Sequence, residues 1–305
     1  MGHGHGHGHG HATAAAANRG RLSVVLALML IVAVVQVIGA YGAGSLALLA
    51  DAGHTVTDSF GVLLALIAVG FAARPASTVR TFGYQRAEVL AAAVNALILF
   101  GLCAFIAIEA VERLITPRPV AGEGMVLVAG FGLAMNIIAV FILRSGQKDS
   151  LNVRGAYLEV LSDALASVGV IVGGAVIWLT GWERADTLIS LAIAAFIVPR
   201  AWSLLREAVH VLLEAAPRNV DLAEVRLHML RQPGVLDVHD LHAWTITSGI
   251  PVMSAHVVVE EGRLADAGRM LDELHACLSG HFDVEHSTLQ LEPAGHADHE
   301  GARHD

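Results

Sequence analysis

Long apolar segments, separated by short polar stretches, follow one another along the chain up to about residue 205. A helix needs about 20 mostly apolar residues to cross the hydrocarbon core of a bilayer. Six segments reach this length, so the pattern predicts six transmembrane helices. Their approximate bounds are Leu22–Ala43, Leu46–Ala72, Ala87–Leu114, Met125–Leu143, Ala156–Leu179 and Thr187–Leu205.

After Pro217 the apolar segments become short and alternate with polar residues. The order helix, strand, strand, helix, strand predicts a small two-layer α+β domain with its helices on one face of a sheet. The five expected elements are Val220–Gln232, Val235–Ile246, Val252–Glu260, Ala265–Leu278 and Val284–Leu291, with a turn at Ser248 and Gly249 between the first two strands.

Composition supports a membrane protein and argues against several other classes. The chain of 305 residues is 55% hydrophobic and 15% charged, whereas soluble proteins carry about 25% charged residues. The net charge of −9 gives no reason to expect a nucleic-acid partner. Cys103 and Cys277 are the only cysteines and lie far apart, so neither a disulfide framework nor a thiolate zinc site is indicated.

Arginine and lysine mark one side of the predicted helices as cytoplasmic, because positive residues accumulate on that side. The rich side would hold Arg19, Arg21, Arg74, Arg80, Arg86, Arg144, Lys148, Arg154, Arg206 and Arg218. The other side would hold Arg113, Arg118 and Arg184. Both termini are therefore expected in the cytoplasm. We expect the protein to lie in a prokaryotic plasma (inner) membrane, with lipid around its helices.

These patterns divide the chain into four parts. We expect a disordered His-rich tail over residues 1–20, a membrane domain over 21–212, a cytoplasmic domain over 213–292 and a second disordered tail over 293–305. The first tail alternates Gly and His and cannot form a core. Its imidazoles either collect metal ions weakly or represent a purification tag, and the sequence leaves both interpretations open.

Ionisable residues inside two predicted transmembrane helices are the main functional signal, because each costs about 2.5–3.5 kcal/mol to insert. The second helix carries Asp51, His54 and Asp58 on one face. The fifth carries Glu159 and Asp163, four residues apart and again on one face. The alternative explanation is that these residues form interhelical hydrogen bonds or line a water-filled crevice. The presence of two matched pairs favours a functional site over this alternative.

His54, Asp58, Glu159 and Asp163 together provide the four ligands that a tetrahedral zinc site requires. Unneutralised carboxylates in lipid would repel each other, so the site should hold either a metal cation or protons. Because metal binding releases protons from its ligands, this alternation could support exchange. Asp51 is a candidate for the access path of the ion.

Four stretches of the chain make it similar to the cation diffusion facilitator family of zinc-type exporters. They read SLALLADAGHTVTDSFG, RTFGYQRAEVLAAAVNAL, RGAYLEVLSDALASVGVI and DVHDLHAW. The resemblance implies a proton-coupled antiporter of divalent metal ions that works as a homodimer by alternating access. It also implies a metallochaperone-like (ferredoxin-like) cytoplasmic domain that dimerises and binds regulatory zinc.

The fifth helix departs from the family pattern at one ligand. Most zinc exporters of the family carry His where this chain has Glu159. With all carboxylates ionised, the site would hold three negative charges rather than two. Hard ions such as Mn²⁺ and Fe²⁺ prefer oxygen ligands, so a manganese or iron exporter is the alternative. The imidazole of His54 favours Zn²⁺ as the main substrate, with Co²⁺ and Cd²⁺ as further substrates.

The cytoplasmic domain carries four histidines that the resemblance makes candidates for regulatory zinc: His239, His242, His256 and His286. A regular strand does not place His239 and His242 on the same face, so we expect at most some of the four to act together. Exposed or hydrogen-bonded histidines are an equally weighted alternative.

The sequence predicts a transporter and not an enzyme. Two other functions are alternatives to this prediction. A membrane-embedded zinc metallohydrolase would need an open water position at the metal, but no nucleophile motif accompanies the polar pairs. A metal sensor or buffer would explain the histidines and the small domain, but it does not need six transmembrane helices.

Overall fold

The computed structural model describes residues 8–72, 74–145, 151–247, 250–282, 284 and 286–299. The predicted turn at Ser248 and Gly249 lies outside these residues, as do the first seven residues and His304. Six long helices come first in the chain. They are α1 (Gly8–Ala43), α2 (Leu46–Ala72), α3 (Ala87–Ile115), α4 (Gly122–Arg144), α5 (Leu151–Thr180) and α6 (Arg184–Leu212).

These helices form a multi-pass membrane domain. Among the described residues, α3, α4, α5, α6 and the part of α1 from Gly20 are each long and apolar enough to cross a membrane. The remaining helix, α2, is 27 residues long and carries the Asp, His and Asp of the sequence analysis. The six-helix membrane domain predicted from the sequence is confirmed.

The start of α1 differs from the sequence-based expectation of a disordered tail over residues 1–20. The described part of that segment is helical from Gly8 onward. It includes the run Ala14–Ala17, and alanine has the highest intrinsic helix propensity. The helix therefore continues outward past the apolar segment.

Two compact units make up the chain. The described residues up to Leu64, together with Val94–Leu204, form the first, and Ala65–Ala93 with the residues from Leu205 onward form the second. In the first unit, α4 and α5 approach closely at glycines. A Cβ atom on Gly122 would lie only 2.7 Å from the carbonyl oxygen of Gly174, so this contact depends on the absence of a side chain.

The amino end of α2 is capped from α6. Asp186 accepts hydrogen bonds from the backbone N–H groups of Leu46 (2.7 Å) and Ala47 (3.1 Å) and from the Ser45 hydroxyl (2.6 Å). It is 1% exposed, and Nη1 of Arg113 lies 3.6 Å from its carboxylate. The first N–H groups of a helix have no partner within it, and here a carboxylate distant in sequence provides one.

The second unit contains the predicted α+β domain. Its elements are α7 (Leu222–Leu230), β1 (Val235–Thr245), β2 (Pro251–Val259), α8 (Ala267–Phe282) and β3 (His286–Pro293). The sheet order is β1-β2-β3, with β1 and β2 antiparallel and β2 and β3 parallel. Apolar residues of α7 and α8 share one core with alternate residues of β2, which confirms the predicted fold class.

Two boundaries in this domain differ from the sequence-based expectation. Helix α8 begins at Ala267 because a short 3₁₀ helix occupies Glu261–Asp266. Beyond β3, His296–His299 form a single 3₁₀ turn in the segment expected to be disordered, and residues 300–305 lie outside the described part of the chain.

Candidate metal sites

The four candidate ligands of the membrane domain lie together between α2 and α5. One ligand atom from each of His54, Asp58, Glu159 and Asp163 lies within 4.8 Å of the others. The Nε2 atom of His54 is 3.5 Å from Oδ2 of Asp58 and 3.6 Å from Oδ1 of Asp163. The helical spacing of each pair thus places both of its side chains on the surface that faces the other helix.

This cluster has the charge and the unsatisfied acceptors that a divalent cation requires. His54 and Asp163 are buried, with side chains 5% and 4% exposed. Neither oxygen of Asp163 accepts a hydrogen bond from the described residues, and the same holds for Oδ2 of Asp58. Buried carboxylate oxygens without donors are costly, so a bound cation would supply the missing partner.

Arg200 is a member of this cluster that the sequence analysis did not select. It extends from α6, and its Nη1 donates a hydrogen bond to Oε1 of Glu159. The same Nη1 lies 3.7 Å from Oδ2 of Asp58. A signal was available, because an arginine within a predicted transmembrane segment is itself a candidate functional residue.

Asp51 lies outside the four-residue cluster, in a buried polar network of its own. Its Oδ2 accepts hydrogen bonds from Nε2 of Gln36 (2.5 Å) and from the Ser167 hydroxyl (3.5 Å). Asp51 and Gln36 are each 1% exposed and Ser167 is fully buried. The network joins α1, α2 and α5, and a role for Asp51 in access remains a prediction.

A second cluster of possible ligands lies in the sheet of the α+β domain. His239 on β1 pairs with His256 on β2, and their rings are 5.2 Å apart between centroids. Glu292 of β3 is 1% exposed, with its carboxylate 2.7 Å from Nδ1 of His256 and 3.4 Å from Nε2 of His239. Asp240 also lies within reach of a shared ion.

A β-bulge in β1 overturns the expectation that His239 and His242 lie on opposite faces of the sheet, because both pair with residues on the same face of β2. His239 pairs with His256, but His242, three residues on, pairs with Ser254, two residues back. The extra residue is accommodated at Asp240, whose φ of 46° lies in the left-handed region, which Asp tolerates better than most residues.

His286 also lies apart from the second cluster, at the start of β3, where it pairs with Val252. The structure pairs His239 directly with His256, whereas His242 pairs with Ser254 and His286 with Val252. Glu292 was missed because a single acid at the end of an apolar strand carries no pattern that distinguishes it from a solvated one.

The folded chain has two parts that match one protein family along almost all of its length. Residues 22–213 match the cation efflux transmembrane domain. Residues 217–294 match the cytoplasmic domain of cation efflux proteins. The chain belongs to the cation efflux family, which confirms the resemblance noted from its motifs.

Curated relatives of the chain are metal transporters of bacteria. The metal cation efflux system protein CzcD of Cupriavidus metallidurans is 45% identical over 93% of this chain and 89% of its own length. The zinc transporter ZitB of Escherichia coli is 44% identical over 85% of this chain and 82% of its own. A cadmium, cobalt and zinc/H⁺-K⁺ antiporter of Bacillus subtilis is 37% identical over 86% and 85%.

Proposed function

We propose that the protein exports divalent metal ions, with zinc as its main substrate and cobalt and cadmium as further ones. We propose that His54, Asp58, Glu159 and Asp163 bind the ion during transport. The observation that carries this proposal is the meeting of their four ligand atoms within 4.8 Å, inside the membrane domain. Zinc, cobalt and cadmium appear in the names of the relatives, and the shared transmembrane domain supports the same class of substrate here.

The donor set supports zinc over the harder alternatives. One imidazole nitrogen and three carboxylate oxygens satisfy the tetrahedral preference of Zn²⁺. Manganese and iron would accept the three oxygens, but they gain less from the nitrogen of His54 and bind more weakly in the general affinity order. A manganese or iron exporter is therefore the competing proposal.

We propose that protons are the counter-ions. The buried carboxylate of Asp163 accepts no hydrogen bond from the described residues, so its charge requires a positive partner, which is either the metal or a proton. Metal binding on one side would displace protons, and protonation on the other side would release the metal. Alternating access to the two sides then gives antiport.

The second cluster supports a regulatory metal site in the cytoplasmic domain. His239, His256 and Glu292 offer two imidazoles and one carboxylate, and the carboxylate lies 3.4 Å from Nε2 of His239 and 2.7 Å from Nδ1 of His256. These donors suit Zn²⁺. We propose that metal binding here reports the cytoplasmic concentration, and that the domain joins two copies of the chain into a homodimer.

The proposed location is the bacterial inner membrane, with both termini in the cytoplasm. The charge distribution between the helices supports this orientation. The match of residues 217–294 to a cytoplasmic domain supports it as well.

Uptake by purified protein in proteoliposomes under a pH gradient tests the proposal. Zn²⁺, Co²⁺, Cd²⁺ and Mn²⁺ would be compared, with internal pH recorded at the same time. We expect zinc uptake coupled to opposite proton flow, and Asp58→Ala should abolish uptake while leaving a folded protein. Uptake of manganese alone would support the competing substrate, and uptake by Asp58→Ala at the wild-type rate would exclude this site.

A further inference from the structure

Arg200 contacts two of the proposed transport ligands from a helix that provides none of the four. Its guanidinium donates to Glu159 and lies 3.7 Å from Asp58. The exposed fraction of the side chain is 8% for Asp58, 21% for Glu159 and 47% for Arg200. The guanidinium therefore lies at the more open end of a buried anionic cluster.

The charge of Arg200 offsets the charge that Glu159 adds. Asp58, Glu159 and Asp163 contribute three negative charges when ionised, and the guanidinium, which stays protonated at any physiological pH, reduces the total to two. A site with His in place of Glu159, two aspartates and no arginine would also carry two. The Glu159–Arg200 pair is thus equivalent in charge to a single neutral ligand.

We propose that Arg200 is a resident counter-ion of the transport site, which sets the net charge that a metal ion meets and competes with that ion for Glu159. This inference rests on the proposed function of the site. In the absence of metal the guanidinium holds Glu159. When metal binds, Glu159 is shared between the ion and the guanidinium, so His54, Asp58 and Asp163 make the stronger bonds.

Selectivity follows from this sharing. An ion that depends on carboxylate oxygens loses more from a weakened Glu159 than an ion that also bonds strongly to imidazole. Arg200 therefore favours zinc over manganese. It also limits the affinity of the site, because a fully anionic cluster would bind a divalent cation tightly and release it slowly.

The test compares Arg200→Gln and Arg200→Lys with the wild-type protein in proteoliposomes. For Arg200→Gln we expect the KM for zinc to fall roughly tenfold or more, because one positive charge near a divalent ion has been removed. The maximal rate should fall, and the preference for manganese relative to zinc should rise by a similar factor. Arg200→Lys keeps the charge and should retain the zinc preference.

A second pair of variants separates electrostatics from a purely structural role. Glu159→His alone leaves the guanidinium without its carboxylate and should raise the KM for zinc. Adding Arg200→Gln to Glu159→His should bring KM and selectivity back toward wild type. A structural role would instead make the double variant worse than either single one. This pair also decides the question if Arg200→Gln alone does not fold.

The matched control is Arg206→Gln, which removes an exposed arginine of the same helix and should leave KM and selectivity unchanged. Unchanged KM and metal preference in Arg200→Gln would overturn the inference, as would a double variant whose KM for zinc is no lower than that of Glu159→His alone. The proposed function has its own readout, because transport of zinc by Asp163→Asn at the wild-type rate would exclude the four-residue site whatever the result with Arg200.

Discussion

The Nε2 atom of His54 lies 3.6 Å from Oδ1 of Asp163, although one residue belongs to α2 and the other to α5. This imidazole–carboxylate approach joins the two helices at the centre of the proposed transport site. Asp163 has no hydrogen-bond donor among the described residues. The environment of this carboxylate is therefore suited to a bound cation. Without a cation, the buried charge destabilises the folded protein.

Asp163→Asn should separate function from stability. We expect at least about a hundredfold loss of zinc transport, because a ligand charge is removed at a site built from four groups. In metal-free buffer the melting temperature should be unchanged or higher, since a buried carboxylate no longer faces Asp58 and Glu159. Uptake assays and thermal unfolding in detergent provide the two measurements.

The control for this variant is Glu112→Gln, which alters an exposed acid of α3 and should change neither quantity. A large drop in the melting temperature of metal-free Asp163→Asn would contradict the view that this carboxylate is strained without a cation.

Asp186→Ala should destabilise the membrane domain by about 2–4 kcal/mol. The substitution removes the cap of α2 and leaves the largely buried Arg113 without one of its carboxylate partners, and both changes are costly. Thermal unfolding of the purified protein measures the effect. Arg184→Ala, two residues earlier and exposed, should stay within about 0.5 kcal/mol of wild type; equal stability of the two variants would show that the cap is unimportant.

Gly122→Ala should loosen the contact between α4 and α5. An added Cβ would lie 2.6 Å from the backbone nitrogen of Trp178 and 2.7 Å from the carbonyl oxygen of Gly174, so the helices must separate. We expect a loss of about 1–3 kcal/mol, as for other overpacked sites. Gly130→Ala in the same helix meets nothing within 4 Å and serves as the control, with equal or higher stability expected from its better helix propensity.

Glu292→Gln should remove the regulatory metal and leave the transport site intact. The cleanest measurement counts zinc per chain by mass spectrometry in an Asp163→Asn background, where the transport site is already impaired. We expect the count to fall by about one ion per chain, because the carboxylate is shared by His239 and His256. The control is Glu260→Gln, which alters an exposed acid just after β2 and should leave the zinc count unchanged. An unchanged count in Glu292→Gln would show that the second cluster does not bind metal.

The parts of the structure that follow from short-range pattern were predictable from the sequence. The bilayer requires long apolar helices, so α1–α6 are marked by composition alone. The helical spacing of His54 with Asp58, and of Glu159 with Asp163, is equally local. The order of the helices and strands along the chain and their two-layer arrangement follow from the alternation of short elements.

The parts that depend on long-range contact were not predictable. Arg200 of α6 contacts Glu159 of α5, and no regular spacing in the sequence indicates this contact. The bulge at Asp240 shifts the register of β1, so the face of the sheet on which His242 lies depends on a single left-handed residue. Glu292 becomes a possible ligand only because β3 lies parallel to β2 and ends beside His256.

The hydrogen bonds from the start of α2 to Asp186 also fix the rotation of that helix about its own axis. A slip of one residue would turn α2 by about 100° and carry His54 and Asp58 away from α5 together. His54 lies about 12 Å along the helix from Leu46, at 1.5 Å per residue. The alignment of the proposed coordination sphere is therefore set by an anchor two helical turns away.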